Sequence, residues 1–330
     1  MLRKIFNINL FLFLLSTALS LLFAEFLVRT FFPEYVIWNY SLPLEKNGFR
    51  LLGHPNSTFV QKDQHKDFHV KVFLNQYGFR DKNDLKDSRK RDAVILGDSF
   101  CFGNGVEEEK RFGNVLQKMM SDSFNVYNIG IPSCHFLNYK SNLEYAKKLG
   151  LQTQKMILGV CMENDLKEYD KMKLDKESVW RNIKKWFNNN SALYAFVGQK
   201  IHSSEVIENI LSGLGLMNDH TLPSMYAVSD AAIKSSADEL EKITKDYDAL
   251  IVIIPSRLVW IEKHQAKANE IHQKFIQKLK DKSLKVLDMK SVFDSVSQHP
   301  LEDFHFEHDG HWNTKGHQLV AKAIYEQLTF

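Results

Sequence analysis

The chain has 330 residues, 44% of them hydrophobic and 25% charged, with a net charge of +3. This is long enough for one sizeable core plus extensions, and it excludes a disordered or low-complexity chain. No block of lysines or arginines forms a nucleic-acid footprint, so no nucleic-acid partner is expected. Three cysteines, Cys101, Cys134 and Cys161, make no disulfide framework and read as buried free thiols.

The N-terminus departs from this average. Met1-Leu2-Arg3-Lys4 is followed by twenty uncharged residues, Ile5 to Ala24. As a helix they span roughly 30 Å, the thickness of a bilayer's hydrocarbon core. Arg3 and Lys4 favour a cytoplasmic N-terminus with the remainder outside. A cleaved signal peptide is the alternative. The apolar run exceeds the usual signal-peptide core, and Leu22-Phe23-Ala24 is a poor small-x-small cleavage site. Residues 1–24 are therefore expected to be a retained signal anchor.

Residues 25–90 read as an extension. Val70 to Leu74 alternates as a strand does, Asn75 to Arg80 reads as a turn segment, and Asp81 to Arg91 as a charged surface loop. From residue 91 a single domain is expected to run to residue 330. Strands are predicted near 92–97, 125–129, 155–160, 249–254 and 284–288. Helices are predicted near 112–122, 137–149, 229–246, 261–281 and 315–328. Strands alternating with helices imply a parallel five-stranded sheet covered on both faces. Residues 166–228 interrupt the alternation. Val179, Trp180, Ile183, Trp186 and Phe187 recur there at helical spacing among Arg181, Lys184 and Lys185. The segment reads as a helix packed on the domain, a cap over a site, or a basic helix on a membrane.

The chemistry sits at strand ends. Ala93-Val94-Ile95-Leu96 runs into Gly97-Asp98-Ser99, and ligands in open α/β sheets bind where strands end. Asn125 to Gly130 is a second strand ending in glycine. Lys155 to Val160 is a third, followed by Glu163-Asn164-Asp165. Near the C-terminus stands Asp309-Gly310-His311-Trp312-Asn313, followed by Gly316-His317. A serine hydroxyl needs a base within hydrogen-bond reach, and the base needs an orienting acid. His311 is the best base and Asp309 the best orienter, with Asp303 in reserve.

Ser, Gly, Asn and Asp/His, in that order, resemble the four blocks of the SGNH (GDSL-type) hydrolases over roughly residues 70 to 330. The resemblance implies a three-layer α/β/α, flavodoxin-like fold and a mechanism without metal or cofactor. It implies Ser99 as nucleophile, Asp309 and His311 as its partners, and an oxyanion hole from the backbone N–H groups of Ser99 and Gly130 and the Asn164 amide. Asp98 and Asp165 read as loop-shaping residues, and His308 and His317 as exposed or structural. The Asp precedes the His by two residues, where many members have three. This shorter form resembles that of SGNH proteins modifying envelope polysaccharides, and Trp312 beside the base suggests a platform for a sugar ring.

The expected protein is thus a membrane-anchored serine hydrolase with its catalytic domain outside the cytoplasmic membrane. It would act on acyl esters, as an esterase or as an O-acyltransferase or deacylase of an envelope glycan or lipid. The alternative is a catalytically inactive protein of the same fold that binds or assembles glycans.

Overall fold

The chain begins with an uninterrupted helix, α1 (Leu2–Phe31). The computed structural model describes residues 2–32, 44–63, 65–120, 124–173, 190–202 and 228–328, together with Trp180, Ile183, Trp186 and Phe187. Two hairpins follow α1. The first joins β1 (Leu44–Asn47) to β2 (Arg50–Gly53), and the second joins β3 (Thr58–Lys62) to β4 (His69–Phe73). In the second, Phe59, Val70 and Val72 turn inward with Leu74 onto Phe102.

The main sheet starts at β5 (Ala93–Leu96), which runs into a single turn, α2 (Ser99–Phe102). Next come α3 (Phe112–Met119), β6 (Val126–Asn128), α4 (Phe136–Lys148) and β7 (Lys155–Cys161). The chain then passes through α5 (Ala192–His202) and α6 (Asp230–Thr244) before β8 (Asp248–Ile254). It closes with α7 (Glu262–Asp281), β9 (Lys285–Asp288), α8 (Met289–Val296), α9 (Pro300–Phe304) and α10 (Thr314–Gln327).

All five strands of the main sheet are parallel, in the order β6-β5-β7-β8-β9. Counted along the chain this is 2-1-3-4-5, the flavodoxin-like order. Strand residues alternate between two cores. Val94, Leu96, Met156, Leu158, Ile251 and Ile253 point to the side of α4, α6 and α7. Ala93, Ile95, Ile157, Val252 and Ile254 point to the side of α3, α8 and α10. The outcome is the expected three-layer α/β/α arrangement, because strands buried on both faces need apolar residues at every position.

The backbone divides into two compact units, residues 1–41 with 175–220, and residues 42–174 with 221–330. In the smaller unit, Ile8 to Phe31 is long and apolar enough to cross a membrane, with mean hydropathy 2.2, and is a candidate anchor or signal sequence. Most of the insertion at 166–228 lies outside the described residues.

Candidate active site

The strand order reverses at β5 and β7, so the crevice beyond their carboxyl ends is the topological switch point. Ser99 follows β5 and Asn164 follows β7. Gly97 lets the turn tighten: a Cβ there would sit 2.9 Å from the Cys101 Cβ and 3.2 Å from the Gly159 carbonyl oxygen. Asp98 caps α2, its carboxylate accepting the Phe100 N–H at 3.0 Å. Ser99 is thereby held at the first position of α2.

The opposite wall is the loop between α9 and α10. His305 and Trp312 form a bridge across its base, and Phe306 N donates to His311 O at 3.0 Å. Asn313 caps α10, accepting from Lys315 and Gly316, while its amide donates to the carbonyls of Asp303 and His305. The loop's far end is held by Asp67, from the β3–β4 hairpin. Asp67 accepts the N–H groups of His308 (2.7 Å) and Asp309 (3.2 Å) and faces His308 Nδ1 at 3.0 Å. Burial alone would raise the Asp67 pKa, but the His308 bonds outweigh it and hold it low.

These two walls bring Ser99, His311 and Asp309 into one chain of hydrogen bonds. Ser99 Oγ lies 2.7 Å from His311 Nε2, and His311 Nδ1 lies 2.5 Å from Asp309 Oδ1. The same Oδ1 accepts the His311 backbone N–H at 2.8 Å. The two-residue spacing therefore suffices, because a single carboxylate oxygen serves both the turn and the ring. Burial would raise the Asp309 pKa, but the bond from His311 outweighs it and keeps the carboxylate ionised. An ionised acceptor at Nδ1 leaves Nε2 to accept from the serine hydroxyl. Asp303 instead takes a bond from Ser297 Oγ at 2.5 Å.

A cavity of about 440 Å³ opens over Ser99 and His311; Ser133, Glu163, Asn164 and Arg257 also line it. Asn164 donates from its amide to Asp98 Oδ2 at 3.1 Å, which orients the group and leaves its second N–H available. Burial raises the Asp98 pKa. Glu163 and Arg257 pair across the rim, with Nη2 and Oε2 at 3.3 Å. Both also line a second cavity of about 1020 Å³ that reaches Asp67, His305 and Asp309.

Gly130, expected as an oxyanion donor, does not line this cavity. Its N–H is spent on Asn128 Oδ1 at 2.9 Å, and a Cβ there would press on Cys101 at 2.8 Å. On that loop Pro132, Ser133 and Cys134 line the cavity, Ser133 at φ +64°. Among the described residues, the backbone N–H groups of Ser99 and Ser133 have no acceptor. Nothing in the sequence marks Ser133, because a left-handed residue is normally announced by glycine.

Trp312 departs from expectation as well. It is 1% exposed, packed against Phe100, Phe112 and Phe293, and offers no platform to a sugar. His317 is buried beneath it, its Nδ1 accepting the Phe112 N–H at 3.2 Å, and burial depresses its pKa to about 3. All three cysteines are buried, and burial raises each thiol's pKa, which keeps it protonated.

Two charged residues, Arg80 at the end of the predicted turn segment and Asp81 at the start of the predicted surface loop, are internal. Arg80 is buried and donates to the carbonyls of Phe102, Gly103 and Val106, bracing the loop after α2. Asp81 accepts the Asn128 N–H and is pushed up to about 6 by burial.

No family model matches the sequence, and no curated protein matches it. Several solved structures are similar in fold. A lipolytic protein of the G-D-S-L family from Veillonella parvula is 14% identical, with a TM-score of 0.42 over 71% of this chain and 96% of its own. A carbohydrate acetylesterase from Sinorhizobium meliloti is 14% identical, with a TM-score of 0.37 over 72% and 98%. An aryl esterase from M. smegmatis is 17% identical, with a TM-score of 0.37 over 72% and 97%. Likeness at this level carries no inference about activity. The fold assignment rests on the strand order and the two cores.

Proposed function

We propose that the protein is a serine hydrolase of carboxylic esters in which Ser99 forms an acyl-enzyme. The observation that supports this most is the Ser99–His311–Asp309 chain, closed at 2.7 Å and 2.5 Å over a cavity at the switch point of the sheet. His311 Nε2 takes the hydroxyl proton as Ser99 Oγ bonds to the ester carbonyl carbon. The tetrahedral oxyanion needs fixed donors. The N–H of Ser99 and the Asn164 amide remain in that role, and the N–H of Ser133 takes the place first given to Gly130. Collapse expels the alcohol, which takes the proton back from His311. Water then releases the acid, or a substrate hydroxyl takes the acyl group.

In this reading α1 is a retained anchor, and the hydrolase works on the outer side of the membrane. An acylated envelope glycan or lipid fits that location. With Trp312 buried, that ring does not favour a sugar acceptor over water. A fluorophosphonate probe is expected to label wild-type protein at Ser99, and Ser99→Ala and His311→Ala are expected to abolish short-ester turnover. The double variant should be no worse than either single one, because the two residues act as a unit. Turnover retained in folded Ser99→Ala would overturn Ser99 as the nucleophile, and a wild type that neither labels nor turns over esters would return the chain to the inactive glycan-binding reading.

A further inference from the structure

The smaller unit has a polar clamp at a place where none is needed for solubility. Glu25 on α1 accepts three bonds from the start of α5: Ser191 Oγ at 2.8 Å, Ala192 N at 2.9 Å and Leu193 N at 2.9 Å. Arg29, one turn on, pairs with Glu25 at 2.7 Å and donates to the Asn190 carbonyl at 2.7 Å. Val28 and Ala192 are buried between the two helices, and Phe32 lies against Phe196 at 5.1 Å. The last two turns of α1 thus pack one face against the start of α5. Ile8 to Phe23, preceding them, is bare on every side.

Before α5, Trp180, Ile183, Trp186 and Phe187 are each helical and exposed. Trp180 is 78% exposed and Trp186 59%, with Ile183 and Phe187 exposed beside them. At 100° per residue these four fall within about 120° of arc, one face of a helix. In water such a face is an aggregation liability. Beside a membrane span it has a natural environment, because Trp rings concentrate where hydrocarbon meets headgroups. The clamp holds Ser191, whose N–H donates to the Phe187 carbonyl at 2.9 Å, at the turn of α1 where charge returns to the sequence.

We propose that Trp180, Ile183, Trp186 and Phe187 form an interfacial foot, held to α1 through Glu25, that enters the headgroup layer of the bilayer α1 crosses. This rests on the anchor reading above. Full-length protein is reconstituted in phosphatidylcholine vesicles whose acyl chains are brominated near the headgroup end. Tryptophan emission should be quenched relative to unbrominated vesicles, and Trp180→Phe/Trp186→Phe should lose most of that quenching while staying with carbonate-washed membranes. Glu25→Ala should also stay membrane-bound, lose the quenching and expose the 180–202 segment to protease. Retention with quenching unchanged in the double variant overturns the foot, and unchanged quenching in Glu25→Ala overturns the clamp. A face shielded by a second copy, seen as cross-linking without lipid quenching, overturns it too. Release of the wild type by carbonate overturns the anchor reading, and the foot with it.

Discussion

Ser133 is held at φ +64°, a conformation that costs a side-chain-bearing residue roughly 1 kcal/mol. From this position in the β6–α4 loop it lines the cavity over Ser99. Gly130, three residues earlier, is a packing glycine against Cys101. The two should separate cleanly on mutation. Ser133→Gly keeps the N–H and removes the strain, so kcat is expected to stay within a few-fold. Gly130→Ala should cost about 1–3 kcal/mol of stability by overpacking, with little loss of kcat per folded molecule. Asn164→Ala should lower kcat about 100- to 1000-fold, the usual effect of losing one oxyanion donor. Thermal melts and fluorophosphonate titration of competent sites distinguish these results. A stable Gly130→Ala variant without activity would restore Gly130 as a donor.

At the scale of elements, the β3–β4 hairpin gains a task from Asp67. Its carboxylate takes the N–H groups of His308 and Asp309, and so sets where the loop carries His311. Asp67→Ala strands both donors and is expected to lower kcat about tenfold, the scale of one lost hydrogen bond, with KM little changed. A rise in KM at constant kcat would instead place Asp67 in substrate binding. The hairpins were not legible in the sequence. Leu44–Asn47 lacks alternation, and only Val70 to Leu74 carries a two-residue period. The parallel strands were legible because β5, β7 and β8 are near-continuous apolar runs between glycines and acids. So were Ser99, Asn164 and His311, each placed where such a run ends or before the final helix. Arg80 and Asp81 were not, since their burial depends on carbonyls and amides that only the tertiary fold assembles.

For the molecule as a whole, buried titratable groups pull its pH dependence in opposite directions. Asp81, pushed up to about 6, contributes stability that is lost as pH rises through that value. His317, at about 3 against 6.5 when unfolded, does the reverse. The unfolded chain takes up a proton below 6.5 that the folded one refuses, so this stability is present above 6.5 and lost as pH falls. A difference measurement isolates it. His317→Gln retains an acceptor for Phe112 N and removes the titration. Its stability penalty at pH 7 is expected to shrink by about 2 kcal/mol at pH 5. A penalty that does not change with pH would mean that His317 is protonated in the folded state.

The clamp on Glu25 also bears on how the protein is made. Its partner Ser191 lies 166 residues further along the chain. By the time Ser191 is synthesised, α1 and the first three strands of the main sheet have already been made. Until then the Glu25 carboxylate has no α5 to bind, and the last turns of α1 lack their apolar cover. Closing so distant a contact is slow compared with forming a local helix. The membrane-proximal unit therefore closes late, and a nascent chain stalled before residue 190 would hold a finished span beside an unfinished base.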